Sequence, residues 1–176
     1  MNFKATGLPG AFVIEPECIE DERGFFARVY CEREFAAHGL SLRWVQCNVS
    51  YNRLRGTLRG MHFQAPPHEE DKLIRCTRGA IWDVIIDLRA DSPAYKRHIG
   101  VELSAENRCM VYAPKGFAHG FLTLTDDSEV FYQMSAFYEA GAGRGYRYDD
   151  LAFGIDWPAP VVIISERDRS YPDFKG

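Results

Sequence analysis

Arg59, His62 and Lys72 fall within one short stretch, TLRGMHFQAPPHEEDKLIRCTRGAIWD over 57–83. No other segment of the chain is as rich in chemistry. Histidine is the side chain whose ordinary pKa suits proton transfer near neutrality, arginine pairs with phosphate or carboxylate oxygens through a planar fork, and lysine supplies a point charge. Read for form, the stretch is a strand carrying His62 after Gly60, a loop containing Pro66-Pro67, and a second strand from Lys72 to Arg78-Gly79. Strict alternation puts Arg59 on the opposite face from His62. Both can face one site only if the strand bulges, and Gly60 is the place for a bulge. Taken singly, His62 also reads as a hydrogen-bonded core histidine and Lys72 as a solvated strand end.

A second histidine strengthens the chemical reading. In PKGFAHG, His119 sits just inside a strand after a tight turn, framed by glycines that let the backbone approach a ligand. The run AIWDVIIDLR, 80–89, alternates with a period of two. Trp82, Val84, Ile86 and Leu88 share one face, and Ile81, Asp83, Ile85 and Asp87 share the other. Asp83 therefore points where apolar groups point and needs a partner if buried, for which the ring N–H of His119 is suited. Tyr132 in EVFYQMSAFY alternates with Val130 and Met134, so it is placed either to pack in a core or to present its hydroxyl to the same cavity. Proton abstraction next to a carbonyl needs a base, an acid on the opposite side, and a cation or donor at the developing enolate oxygen. His62, Tyr132, and Lys72 or His119 supply all three.

The elements that must hold these residues are almost all strands. The chain reads as strands over 11–15, 25–30, 42–50, 99–103, 108–112, 120–124 and 129–137, besides the central pair and 80–89. A DERG turn occupies 21–24, and SAEN and TDDS mark further turns. Residues 31–38, CEREFAAH, are the clear helical candidate, with Gly39 placed to end the helix. Residues 141–145 read as a small loop, 146–158 as turns, and the tail from Ser165 as polar. Short strands at this spacing imply an all-β sandwich or barrel, with a jelly roll and one or two peripheral helices as the expected form.

Composition sets the outer limits. At 176 residues and 46% hydrophobic content the chain is expected to form one domain, 1–176, around one sizeable core. A net charge of −4 without a long basic run gives no reason to expect nucleic acid or anionic membrane as a partner, although a local basic site for a small anion is compatible with it. No segment is apolar for long enough to span a bilayer, and the first residues lack a secretion pattern, so a cytoplasmic protein is expected. The five cysteines are odd in number and lack a CxxC pair, which argues for reduced packing residues over a disulfide framework or a zinc knuckle.

The segments LRGMHFQ, KLIRCTRGAIWDVIIDLRADSP, GVELSAEN, PKGFAHGF and FGIDWP together resemble the dTDP-4-dehydrorhamnose 3,5-epimerases, cupin-type jelly-roll enzymes of nucleotide-sugar biosynthesis. The resemblance covers nearly the whole chain. It implies that His62 is the catalytic base, Asp168 in ISERD the carboxylate that orients it, Tyr132 the acid, and Lys72 with His119 the groups that polarise the C4 ketone. It implies further that Arg23 and Arg59 grip the diphosphate, that Phe26 and Tyr138 lie near the nucleotide base, and that Gln46 and Asn48 line the site. No cofactor and no metal are expected, and a homodimer is. Two departures bear on the sugar: Gln133-Met134 follows the tyrosine where many members have Lys-Thr, and Glu70-Asp71 precedes Lys72 where a small or uncharged pair is common.

The function so implied is conversion of dTDP-4-dehydro-6-deoxy-D-glucose to dTDP-4-dehydro-L-rhamnose by inversion at C3 and C5. The alternative is inversion at C3 or C5 only, on a related 4-keto-6-deoxy nucleotide sugar. Many cupins instead bind Fe, Mn or Zn through an HxH pair, a glutamate and a later histidine. Here Gln64 stands where the second imidazole would be, which weighs against a metal-dependent oxygenase or isomerase. A non-catalytic sugar-binding cupin would require the base or the acid to be missing, and both are present.

Overall fold

The computed structural model describes residues 1–40 and 43–175. Among the described residues, fourteen strands and two short helices run in the order β1 (Asn2–Ala5), β2 (Phe12–Glu15), β3 (Cys18–Asp21), β4 (Gly24–Ala27), α1 (Glu32–Ala37), β5 (Gln46–Asn52), β6 (Thr57–Gln64), β7 (Lys72–Arg78), β8 (Ala80–Asp87), β9 (His98–Ser104), β10 (Met110–Ala113), β11 (Phe117–Thr123), β12 (Ser128–Met134), β13 (Gly143–Gly145), β14 (Ile163–Ile164) and α2 (Glu166–Arg169). One sheet has the order β1-β2-β10-β7-β12-β5, and the other β13-β6-β11-β8-β9 with β14 alongside β6. The result is the expected jelly-roll sandwich.

The alternation in β8 shows how the sequence produces two cores from one strand. Ile81 and Ile85 pack between the sheets with Ile74, Cys76, Val111, Phe117, Phe121 and Val130, while Val84 and Ile86 face outward onto Met61, Ala118 and Phe153. Successive side chains of a strand must point to opposite faces, so both faces of this sheet are apolar and both need a cover. The outer face of the other sheet is covered by α1, whose Phe35 packs on Ile14, Leu73 and Met110. At six residues α1 is too short to be held by propensity, and burying Phe35, worth about 1.5–3 kcal/mol, is what keeps it in place. Gly39 adopts a φ of +75°, ending the helix as its sequence position implies.

Several boundaries differ from the sequence reading. The strand expected over 42–50 runs Gln46–Asn52, and Leu42 lies outside the described residues. Residues 143–145, expected in a loop, pair with β6 as β13, and β1 was not anticipated. The polar tail contains α2. There the side chain of Ser165 accepts a hydrogen bond from the backbone N–H of Asp168, a capping contact worth about 1 kcal/mol that suits a serine three residues before an acid.

Candidate active site

A cavity of about 540 Å³ opens between the sheets. On one side it takes the inner-face residues of three neighbouring strands: Gln46 and Asn48 of β5, Lys72 of β7, and Tyr132 and Met134 of β12. Facing them are Arg59 and His62 of β6 with His119 and Phe121 of β11. The loop after Gln64 leaves one sheet and β7 joins the other, so His62 and Lys72, ten residues apart, meet across the gap.

Arg59 and His62 share the cavity because β6 bulges at the expected place. His119 pairs with His62 and Phe121 with Arg59, so two steps along β11 match three along β6. Gly60, inside that interval, has a φ of +141°, and a Cβ there would come within 2.6 Å of the Cα of Gly120. Only glycine fits. The bulge also directs the Gly60 N–H to Asp168 Oδ2 at 3.2 Å.

Asp168 holds His62 from behind. Its Oδ1 lies 2.7 Å from His62 Nε2, its own N–H is tied to Ser165, and its side chain is 5% exposed against 40% for the imidazole. Burial pushes the Asp168 carboxyl up. The bond to His62, that ring's charge, and the Gly60 and Ser165 contacts outweigh burial and hold it below the ordinary carboxylate value. With Nε2 engaged, Nδ1 is the nitrogen left for a substrate proton. His119 repeats the arrangement: its Nε2 lies 2.7 Å from Asp83 Oδ1, which is buried on the inner face of β8.

The remaining groups are set with equal definition. The Lys72 ammonium lies 2.9 Å from Glu70 Oε1 and donates to the His62 carbonyl at 3.3 Å. Tyr132 is partly buried, and burial raises its pKa above 10.0. Arg59 acts against that rise and Glu70 adds to it, so the phenol stays protonated across the neutral range. Arg59 is held by Asn52 Oδ1 at 2.7 Å and the Tyr51 carbonyl at 3.3 Å. Gln46 accepts from the N–H of Tyr138, placing that ring at the cavity, while Gln64 is used up in binding the carbonyls of His68 and Phe137 and the N–H of Glu139.

Two expected site residues lie apart from the cavity of this chain. Arg23 and Phe26 do not line this chain's cavity; they sit on the β3–β4 hairpin, whose strands pair only with each other among the described residues. Arg23 folds back on Asp21 across the turn, and Phe26 is 69% exposed. Conversely, Arg144 of β13, Arg167 of α2 and Glu70 line the cavity without having been singled out for it. The Ser165-x-x-Asp168 cap was the available signal for Arg167, since it predicts the helix that carries it. Among the described residues no group of three His, Cys, Asp or Glu side chains converges as metal ligands would.

A family model described as dTDP-4-dehydrorhamnose 3,5-epimerase matches residues 5–176. A relative of that name from Methanothermobacter thermautotrophicus is 46% identical over 177 residues, covering 99% of this chain and 95% of its own. The crystal structure of the Bacillus anthracis dTDP-4-dehydrorhamnose 3,5-epimerase with TDP and PPi bound is 40% identical and superposes with a TM-score of 0.95 over 98% of this chain and 99% of that one. The Legionella pneumophila dTDP-6-deoxy-D-glucose-3,5-epimerase in complex with dTDP-4-keto-L-rhamnose is 34% identical, with a TM-score of 0.89 over 95% and 89%. The chain therefore belongs to the dTDP-4-dehydrorhamnose 3,5-epimerase family, isomerases built on a cupin-type jelly roll.

Proposed function

We propose that this protein converts dTDP-4-dehydro-6-deoxy-D-glucose to dTDP-4-dehydro-L-rhamnose. The observation that carries this is the convergence on one cavity of an oriented imidazole, a protonated phenol and a paired ammonium, His62, Tyr132 and Lys72. Nδ1 of His62 takes the proton from C3, and the electron pair moves onto the C4 oxygen to give an enolate. Lys72 and His119 stabilise that oxygen, and the phenol of Tyr132 delivers a proton to the opposite face. His62 then releases its proton to solvent and Tyr132 regains one, and the sequence repeats at C5. Only proton transfers are needed, so no cofactor enters.

Nucleotide binding falls to Arg59 on the diphosphate, helped by Arg144 and Arg167, with Tyr138 against the base and Gln46 and Asn48 beside it. Arg23 and Phe26 join the site from the hairpin of a second copy. In support, that hairpin exposes Ile19, Phe25 and Phe26 at 68%, 49% and 69%, an apolar surface suited to a partner. Light scattering is expected to give a dimer at micromolar concentration, and a mass near the 20.1 kDa of one chain contradicts the arrangement. The reading takes the chain as a single epimerase domain acting in the cytoplasm, in keeping with five unpaired cysteines.

Incubation with dTDP-4-keto-6-deoxyglucose in deuterated water, with the label located by NMR, tests the reaction. Label is expected at C3 and C5, unchanged after EDTA treatment. Label at C3 alone makes the protein a 3-epimerase, and no label overturns the reading.

A further inference from the structure

Lys72 reaches the cavity in the company of an acid. Glu70 lies two residues before it, and the two side chains are only 4% and 9% exposed. Such residues are seldom buried unless paired. The Lys72 ammonium has three donors; the contacts with Glu70 Oε1 and the His62 carbonyl account for two, which leaves one for the cavity.

The adjacent acid shows what a purely structural carboxylate looks like here. Asp71 has both oxygens satisfied: Oδ1 accepts from Tyr112 Oη at 2.8 Å and the Lys115 N–H at 3.1 Å, and Oδ2 from Ser135 Oγ at 2.8 Å. It ties β7 to β10 and β12. Glu70 Oε2, by contrast, is buried with no hydrogen-bond donor among the described residues. A buried carboxylate with one oxygen unmatched is costly. It also opposes binding of any ligand that carries a diphosphate. Neither folding nor nucleotide affinity accounts for a half-satisfied acid at this position.

We propose that Glu70 is a positioning residue of the reaction: its carboxylate holds the Lys72 ammonium at the place where the C4 oxygen of the bound sugar gains negative charge. This rests on the epimerase reading of the cavity. The same charge acts on the acid. Tyr132 is faced by Arg59 and His62 of β6, by Glu70 and Lys72, by His119 of β11, and by the exposed Arg144 and Arg167. Of the influences on its pKa, burial raises it most, Arg59 lowers it and Glu70 raises it. Losing the negative charge therefore lowers the Tyr132 pKa and moves the alkaline limb of the rate profile to lower pH.

The test compares Glu70→Gln, Glu70→Asp and Glu70→Ala on the 4-keto-6-deoxy nucleotide sugar, reading kcat, KM, the pH profile and the melting temperature. Glu70→Gln keeps the shape and is expected to lose about tenfold in kcat with KM unchanged or lower, and its alkaline limb shifts down. Glu70→Ala is expected to lose about 10²-fold, the scale of removing a group that supports a developing oxyanion. Glu70→Asp retains the charge and returns the limb toward the wild-type position. A Glu70→Gln enzyme with wild-type kcat overturns the proposal, as does one whose kcat falls only in step with its folded fraction while the limb stays in place. Failure of the wild type to turn over the sugar would instead defeat the epimerase reading itself.

Discussion

The two histidine–carboxylate pairs are alike in atoms and distance, and unlike in where they are built. In both, Nε2 lies 2.7 Å from an aspartate oxygen. His62 is 40% exposed, and its aspartate comes from α2, a four-residue helix near the end of the chain. His119 is 10% exposed and Asp83 0%, both on the inner faces of core strands. A base must reach and release a proton to water, so the open pair suits abstraction. The closed pair suits holding a charge still. The bond to Asp83 fixes the ring of His119 through Nε2 and leaves Nδ1 as the nitrogen on the other side of the ring.

The largest effect expected from this contrast is at the open pair's ring. His62→Ala should lose about 10³-fold or more of epimerisation and of C3 deuterium exchange while the fold persists, with a lowered Tm because the buried Asp168 loses its partner. Normal exchange in this variant, with loss instead on replacing His119, would exchange the roles of the two pairs. Tyr132→Phe divides the reaction differently. Deuterium should still enter the sugar while inverted product falls about 10²-fold or more, because abstraction and return from one side need no acid opposite.

Asp168→Asn comes next, at roughly 10²-fold in kcat, because an amide cannot hold the imidazole in the same tautomer and charge state. It carries a pH signature as well. Asp168's folded pKa lies below its ordinary 3.8, so its contribution to stability is present above that value and is lost as pH falls through the folded one. Acid unfolding of Asp168→Asn, followed by circular dichroism below about pH 4, should be less steep than that of the wild type. An identical acid transition would mean that the pair contributes nothing to the fold.

The pairs were also unequally legible. Asp83 and His119 could be matched from sequence because both lie in strands whose period-two pattern shows which side chains face inward. Arg59 and His62 broke that pattern, and the break itself pointed to a bulge at Gly60, where the register of β6 and β11 shifts. Asp168 had no such pattern. It is 106 residues from His62, on a helix too short to show periodicity, and only the family resemblance or the Ser165 cap signals it. Arg144 escaped notice for a related reason: 141–145 is glycine-rich, and its pairing with β6 is set by the partner strand. Arg23 and Phe26 lie on a hairpin apart from this chain's cavity, and sequence alone cannot say which copy of a chain a hairpin serves.

The smallest loss of activity is expected at Asp83, and there the cost should appear as stability. Its Oδ1 meets His119, while Oδ2 is buried without a donor, so the carboxylate is already poorly matched. Asp83→Asn keeps the volume but sets an amide among Ile81, Ile85 and Phe121, with one N–H or the ring nitrogen left unsatisfied. That costs about 1–3 kcal/mol, or roughly 2–10 °C in Tm for a chain of this size. Turnover should fall by about tenfold, because in the proposed mechanism His119 shares the enolate oxygen with Lys72 and would lose orientation without leaving the cavity. Measured together, Tm and kcat separate the pairs: Asp168→Asn should lose mainly rate and Asp83→Asn mainly stability. If Asp83→Asn kept its Tm and lost as much rate as Asp168→Asn, the closed pair would be the one that moves the proton.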